Sequence, residues 1–512
     1  MTAEATNSLR MQDNRMKPPH RLSRRTGLAL PWCGKKKSPL TGEVFTRLMI
    51  FAVLTLTGCA AVGPDYVPPE SSAPPDWHTG LRQGLSGESM ETRQMARWWS
   101  TLEDPVLSRL IEQAVSNNLD LKQAMARVRE ARARLGISES GLFPVLDAGG
   151  SASRSKSSEN SGSGATRSFY AVGFDAGWEV DIFGGVRRSV EAAEADLDAG
   201  REDLRDVMVT LTAEVGLNYL DVRTTQQRLI AAEKNLAVQQ ESYHFIDWRY
   251  QAGLSNVLEL QQARYNLENT RAQIPSLRSA LEEAKNRLAV LTGAIPGTIH
   301  ELLADARPVP GLPPTVAVGV PAETLRQRPD IRGAERRLAA QTARIGAATA
   351  DLYPRFRLSG SIGLESLSST DLFKSGSDAW SIVPAVSWNI FDAGAIRRNV
   401  EVQTAVQEQF LLAYEAAILG ALEEVENALT AYAEEQFRRE HLAAAVEAAR
   451  LAEELAEQQY SVGLTDFTTV LDAQRSLLSF EDQLAQSEGT VTANLVRLYK
   501  ALGGGWSSLA EE

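Results

Sequence analysis

The chain repeats itself at an interval of 210 residues. Trp178 and Trp388 stand that far apart, as do Pro144 and Pro354, Gly253 and Gly463, and Gly293 and Gly503. Their neighbours agree. Phe143-Pro144 matches Tyr353-Pro354, Val186-Arg187-Arg188 matches Ile396-Arg397-Arg398, and Tyr250-Gln251-Ala252-Gly253-Leu254-Ser255 matches Tyr460-Ser461-Val462-Gly463-Leu464-Thr465. A constant offset over such a span means two copies of one structural unit with no net insertion between them. The period is far longer than a solenoid module, so it marks a duplicated domain whose halves share one assembly. A chain of 512 residues would otherwise suggest about three domains; the duplication argues for one elongated body.

Residues 48–56 form a short apolar run, Leu-Met-Ile-Phe-Ala-Val-Leu-Thr-Leu, preceded by Lys35, Lys36, Lys37 and Arg47. A basic flank and a run this short are the marks of a secretory segment, too short for a stable membrane-spanning helix. It ends in Leu56-Thr57-Gly58-Cys59, similar to a bacterial lipobox, in which cleavage precedes the cysteine and its thiol is acylated. Ala60 follows Cys59, and the absence of aspartate there favours sorting to the outer membrane. About 45 residues precede the run. That is long for a basic flank, so the expected translation start lies downstream of Met1. Without residues 1–58 the net charge moves from −12 to −19. So acidic a body is not drawn to anionic membrane surfaces by charge, and nothing in its charge pattern suits nucleic acid. Cys33 and Cys59 are the only cysteines, which leaves no disulfide framework.

Residues 61–97 are rich in Pro, Gly and Ser and read as an extended tether. Asp104-Pro105 opens a helix, since proline suits a first turn. A second helix runs from Asp120 to about Ser140 and ends at Phe143-Pro144. Period-2 alternation then sets Tyr170, Val172, Phe174, Ala176, Trp178 and Val180 against Gly173, Asp175, Gly177, Glu179 and Asp181. The alternation predicts strands at about 146–156 and 168–182, and at 355–365 and 379–391 in the second copy. Each strand pair is followed by Gly184-Gly185 or Ala393-Gly394 and then by a long helical hairpin, about 186–291 and 395–501. Leu204, Val207, Leu211, Val215, Val222 and Leu229 step along one helix face, as do Leu411, Tyr414, Ile418, Leu422, Val425 and Leu429. The hairpins turn at Gly253 and Gly463, glycine suiting a helix C-terminus. The chain thus divides into a signal region at 1–58, a lipidated tether at 59–97, a first repeat at 98–300, a Pro-rich connector at 301–320, a second repeat at 321–505 and a tail at 506–512.

Strands apolar on one face and polar on the other fit a membrane barrel with lipid outside and water inside; a soluble sandwich with one wet face shows the same alternation. Open edges are not tolerated in lipid. Four strands cannot close, so a barrel must be shared between chains. Two chains would give eight strands and an interior filled by side chains; three would give twelve and a wider lumen. The amphipathic, Ala-rich hairpins also want neighbours, either as a tube continuing the barrel or as an ordinary coiled-coil stalk.

Together these residues resemble the TolC-type outer-membrane efflux family, in its OprM/NodT-like lipoprotein branch, over about residues 56–505. The marks include Val62-Gly63-Pro64-Asp65-Tyr66 after Cys59, then Trp98-Trp99, Asp104-Pro105-Val106-Leu107 and Asn118-Leu119-Asp120-Leu121. In the second copy they are Arg328-Pro329-Asp330-Ile331, Tyr353-Pro354-Arg355-Phe356, Trp388-Asn389-Ile390-Phe391-Asp392-Ala393-Gly394 and Val470-Leu471-Asp472-Ala473-Gln474-Arg475. The resemblance implies a mainly α fold with a transmembrane β part. It implies a homotrimer whose twelve-stranded barrel lies in outer-membrane lipid and continues into a helical barrel across the periplasm. It also implies a periplasmic adaptor protein and an inner-membrane pump of the resistance-nodulation-division (RND) type. The long N-terminus departs from the family, and Asn256 at the first tip corresponds to Asp466 at the second.

The implied function is passive conduction of drugs or other small molecules, not enzymatic catalysis. No His-Glu-x-x-His, phosphate-binding glycine loop or zinc-spaced cysteine pair occurs. No cofactor is implied apart from the lipid on Cys59. A duct must close at rest, so carboxylates near the deepest turns, Glu453, Glu454, Glu457 and Asp466, are gate candidates; each is equally readable as a solvated surface charge. Gly253, Leu254, Gly463 and Leu464 resemble the tip turns that the family's adaptors contact. Pro144, Gly184, Gly185, Pro354 and Gly394 are expected where strand becomes helix, and Trp178, Trp380 and Trp388 are readable either as an aromatic belt at the lipid boundary or as core residues. A duct for protein secretion fed by an ATP-driven transporter, and a non-conducting lipoprotein scaffold, are the competing functions; the lipobox and Arg328-Pro329-Asp330 favour small-molecule efflux.

The lipobox carries its own prediction. Intact-mass spectrometry of the membrane-extracted protein should show an N-terminus at Cys59 carrying acyl chains, and Cys59→Ser should remove them. A mature protein retaining residues before Cys59 would contradict the assignment.

Overall fold

The computed structural model describes residues 61–69, 74–89 and 91–506. Cys59, the apolar run before it and residues 507–512 lie outside them. In chain order the elements are β1 (Leu85–Ser86), α1 (Thr92–Ala96), a 3-10 turn (Trp98–Leu102), α2 (Pro105–Asn117), α3 (Leu119–Ser140), β2 (Val145–Lys156), β3 (Thr166–Val180), α4 (Gly185–Gln251) and α5 (Val257–Leu291). A 3-10 turn (Glu301–Leu303), β4 (Val316–Ala317), α6 (Pro321–Gln327), α7 (Pro329–Ala350), β5 (Arg355–Ser366), β6 (Asp378–Ser387), α8 (Ala395–Ser461) and α9 (Phe467–Ala501) follow. The repeat survives at residue level: α3, α4 and α5 lie 210 residues before α7, α8 and α9, and β2 lies 210 before β5.

β2, β3, β5 and β6 form one antiparallel sheet in chain order, so the second strand of the first repeat pairs with the first strand of the second. The sheet is open, and among the described residues one edge of β2 and one of β6 has no strand partner. β6 stops at Ser387, short of the expected 391. The reason is its partner: β5 begins at Arg355, directly opposite Ser387, and Pro354 precedes it. Trp388 to Ile390 have nothing on that side to pair with.

Below the sheet α4 and α8 run 67 residues each, on the order of 100 Å at ~1.5 Å per residue. The two copies make the turn from strand to helix alike. The indole N–H of Trp178 donates to the Leu142 carbonyl and that of Trp388 to the Leu352 carbonyl, both at 3.0 Å. Gly184 and Gly394 precede the helices at φ +80° and +90°, a conformation that side chains resist. Asp181 accepts from the Val186 and Arg187 amides, and Asp392 from those of Gly394 and Ile396, satisfying donors the first turn leaves open. Pro144 and Pro354 sit immediately before β2 and β5, and Gly185 presses against Ala350, where an added Cβ would stand 2.9 Å away.

The main core lies at mid-height. Trp98 is fully buried there and stacks on Tyr499, with ring centroids 5.7 Å apart. The segment read as an extended tether runs as a strap along the body, because its backbone finds partners there. The Val62 amide donates to the Phe183 carbonyl, and Arg188 donates to the carbonyls of Val62 and Gly63 and to Asp65. Trp77 donates to the Gly319 carbonyl, and Glu426 accepts from the amides of His78 and Thr79. β1 then pairs in parallel with β4, so strap and inter-repeat connector form one small sheet.

These contacts separate two equivalent glycines. Alanine at Gly184 or Gly394 meets the same positive-φ strain, of about 1 kcal/mol. At Gly184 the new Cβ would also collide with Ala61 of the strap, whereas Gly394 faces open space. Gly184→Ala should therefore lower the melting temperature more than Gly394→Ala and sensitise the strap to protease; equal effects would argue against the strap contact.

Candidate functional site

Two surfaces hold the chemistry, the two-faced sheet at one end and the hairpin tips at the other. Strand register assigns the faces. Ala148, Phe174, Ile362 and Trp380 form one row across the four strands, and Leu146, Ala176, Gly360 and Ile382 another. Phe174, Ile362, Trp380 and Ile382 are all exposed within the chain, Trp380 at 74%. The opposite face carries Asp147, Asp175, Ser361 and Ser381 in one row, with Glu179 beside Arg357 nearer the helices. Asp147 stands directly opposite Asp175. Like charges so placed are unfavourable unless water solvates them, so this face is a wet one. A further row is Gly149, Gly173, Gly363 and Ala379, which leaves one level of the wet face almost free of side chains. Trp178 lies at the helix end of the apolar face and Trp380 toward the loop end.

At the far ends α4 and α8 stop in the same way. Gly253 and Gly463 take φ of +73° and +78°. The Leu254 amide donates to the Arg249 carbonyl and the Leu464 amide to the Gln459 carbonyl, closing the last turn around the glycine. Leu254 and Leu464 are then left 69% and 78% exposed. Two apolar side chains thus project at the extremity of each chain.

The tips are joined by a small core of Ile246, Ala263, Ala456, Phe467, Val470 and Leu471. Tyr460 packs against Phe467 and Phe245, and the Arg249 guanidinium lies 5.1 Å from the Tyr460 ring. Arg249 links the first repeat to the second through this contact. Sequence reading missed it, although a basic residue in the last turn of a helix was a signal in plain sight. The second copy has Gln459 at the corresponding place.

The candidate carboxylates divide. Glu457 accepts from the Gln474 amide, which also donates to Ser242 of the first repeat. Glu454 is exposed and accepts from Gln458. Glu453 is half-buried; burial, then the nearby Glu457 and Glu481, push its carboxyl above the ordinary range. Asp466 stands at the N-terminus of α9 and is exposed, yet its side chain makes no capping bond. At the first tip Asn256 does cap: it accepts from the Glu259 amide, and Glu259 is bonded in turn by Ser255 and Asn256. The structure brings Glu453 and Glu457 to one neighbourhood, and of the four only Glu453 is half-buried, Glu454, Glu457 and Asp466 being exposed. Among the described residues no group of three or more His, Cys, Asp or Glu side chains suits a metal ion, and no helix is long and apolar enough to cross a membrane.

Residues 110–294 and 320–504 match the family described as outer membrane efflux protein, one stretch in each repeat. The solvent efflux pump outer membrane protein SrpC of Pseudomonas putida is 34% identical over 471 residues, covering 90% of this chain and 99% of its own length. The cation efflux system protein CusC of Escherichia coli is 32% identical over 467 residues, with the same coverage of 90% and 99%. Among solved structures the outer-membrane channel OprN superposes with a TM-score of 0.83 at 36% identity, over 87% of this chain and 100% of its own.

Glu453 generates a prediction with a definite sign. A raised carboxyl binds its proton more tightly in the folded state, so its stabilising contribution is present at low pH and is lost as pH rises through the folded value. Glu453→Gln should slow amide hydrogen exchange around the second tip at neutral pH. The difference should vanish in acid, where Glu453 itself is protonated. An equal difference at every pH would remove Glu453 as the titrating group.

Proposed function

The chain belongs to the outer membrane efflux protein family, and on that premise we propose that three copies close a twelve-stranded barrel continued by a helical tube. It is an outer-membrane efflux channel. The observation that carries the assembly is the sheet itself: apolar on one face, wet and charged on the other, with both edges free. In hydrocarbon those edges must pair. Two copies would leave eight strands and an interior choked by side chains; three leave a water-filled lumen lined by Asp147, Asp175, Glu179 and Arg357. In this arrangement Trp178, Trp380 and Trp388 mark the lipid boundaries.

The duct works passively beneath an inner-membrane RND-type pump, through a periplasmic adaptor that meets the tips at Gly253, Leu254, Gly463 and Leu464. Exposed leucines beside a rigid turn suit such a contact. The closed gate lies just above, where Glu453, Glu454, Glu457 and Asp466 would each form a three-fold ring. A lipid on Cys59 anchors the chain. The bonds between Val62 and Phe183 and between Val62 and Arg188 support this, since they hold the residues just after Cys59 at the foot of the sheet. SrpC is named for solvents and CusC for cations; for this chain small molecules as a class are the proposed cargo.

In planar bilayers the purified protein should conduct with a preference for cations, because rings of carboxylates in a lumen favour them. Asp147→Asn combined with Asp175→Asn should lower the cation-to-anion permeability ratio without abolishing conductance. Absence of conductance, even with the tip carboxylates neutralised, would leave the scaffold reading. Unchanged drug tolerance in a deletion strain that loses a secreted protein would favour the secretion duct.

A further inference from the structure

In the first repeat the mid-height core has an opening. The 3-10 turn after α1, the end of α2, the start of α3 and one side of α4 surround a cavity of about 300 Å3. Trp99, Ile111, Val115, Met125 and Met208 line it. Ile111 is fully buried, and the other four are only half-buried. Gly505, from the far end of the chain, forms a further wall. It is held there by its amide, which donates to the Met95 carbonyl at 3.0 Å.

The second repeat shows that the architecture does not force this opening. Val115 and Met208 correspond to Leu325 and Ile418, which are 4% and 7% exposed in a cluster with Ile331, Tyr414 and Ala421. Two differences accompany the closure. Tyr414 stands where the first repeat has Leu204, and its larger ring fills space within that cluster. Glu335 stands where the first repeat has Met125, and it accepts from the Tyr66 hydroxyl of the strap.

The walls specify what fits. Small-molecule sites are of this size and mostly apolar. An apolar cavity of about 150 Å3 is enough for benzene, so twice that volume admits two fused rings. Among the lining residues the only charges are Arg97 and Glu112, both exposed and opposite in sign. An ion entering would therefore lose hydration and gain no buried partner. Methionine is flexible and polarisable, and its sulfur favours contact with aromatic rings. Trp99 stands edge-on to Trp98, with ring centroids 5.8 Å apart, and adds an aromatic surface.

We propose that this cavity is a binding site for an uncharged two-ring aromatic molecule, held between Trp99 and the thioethers of Met125 and Met208. The site belongs to the mid-height core, away from sheet and tips, and needs neither the duct nor a second copy. A bound molecule bridges α2, α3, α4 and the Gly505 end of the chain, so it raises the melting temperature.

After Cys59 the chain has only four methionines, Met90, Met95, Met125 and Met208. Methyl-13C labelling of methionine in the full-length protein in lipid nanodiscs therefore gives few signals, which Met125→Leu and Met208→Leu assign. Titration with 2-naphthol should move the Met125 and Met208 methyls upfield and reach saturation, whereas 2-naphthalenesulfonate should leave them in place. Val115→Trp fills the cavity and keeps both reporters; it should weaken 2-naphthol binding about tenfold or more with helix content unchanged. Shifts that grow without saturating, that appear equally with the sulfonate, or that persist in a folded Val115→Trp protein would overturn the site. Should Val115→Trp fail to fold, the contrast between the two naphthalenes in the unaltered protein decides alone.

Discussion

An unpaired strand edge is tolerable in water and intolerable in hydrocarbon. A backbone N–H or C=O left bare in lipid costs several kcal/mol. Here the two free edges belong to strands of 12 and 10 residues in a sheet whose exposed Phe174, Ile362, Trp380 and Ile382 belong in an apolar medium. Apolar face and bare edge cannot both be satisfied by one chain. The helical body has the same defect on the same sides, because α3 and α8 flank the sequence blocks that carry β2 and β6. Sheet and helices are incomplete together, as expected if one duplication built both.

Much of this was legible in the sequence because the two relevant periods are strong and uninterrupted. Alternation from Tyr170 to Val180 has few other solutions, and a proline-free run from Pro144 to Pro275 leaves room for a helix of 67 residues. The glycine turns were legible because only glycine sits easily at φ near +75°. What escaped were features set by a partner instead of by local pattern. β6 ends where β5 runs out, although Trp388 and Ile390 continue the alternation. The strap looked like a tether because proline and glycine describe its own backbone and not the surface it lies on. Arg249 was passed over because its role depends on Tyr460, a full repeat away. The tip carboxylates were found by type alone, and only coordinates divide Glu457, held by Gln474, from the outward Asp466.

The copies have diverged where symmetry would be least useful. Tyr219 donates to Asp104 and accepts from Arg223, and Arg223 is fully buried and donates to the Asp305 carbonyl. This network ties the first repeat to the connector that leads into the second. The second repeat has Leu429 and Ala433 at the corresponding places. Its own lock is Arg328, which donates to the Ala501 carbonyl, Asp330 and Glu424 and so fastens the end of the last helix. The first repeat has the same fastening in weaker form, Asn118 donating to the Leu291 carbonyl, so the copies differ here in the charge of the donor and in the acids Asp330 and Glu424 around it.

The seam inside the chain is therefore held by charge and by the strap. Arg188 is joined to Val62 and Asp65, Tyr66 donates to Glu335, and Arg332, Arg337 and Arg344 pair across from α7 to α4. α3 has Lys122, Arg127 and Arg134 at the places of Arg332, Arg337 and Arg344, but α8 has Val406, Leu412 and Ala413 where α4 has the matching carboxylates, and its Val402, Leu412 and Leu419 are exposed. The pairs that include Arg337 and Arg344 are partly exposed, so each is worth no more than about 1 kcal/mol and is weakened by added salt. Apolar burial is not screened, and sulfate or phosphate strengthens it. Sulfate or phosphate thus acts in opposite directions on the two kinds of surface: by screening it loosens what joins the repeats of one chain, and by exclusion from apolar surface it favours covering the face that one chain leaves bare.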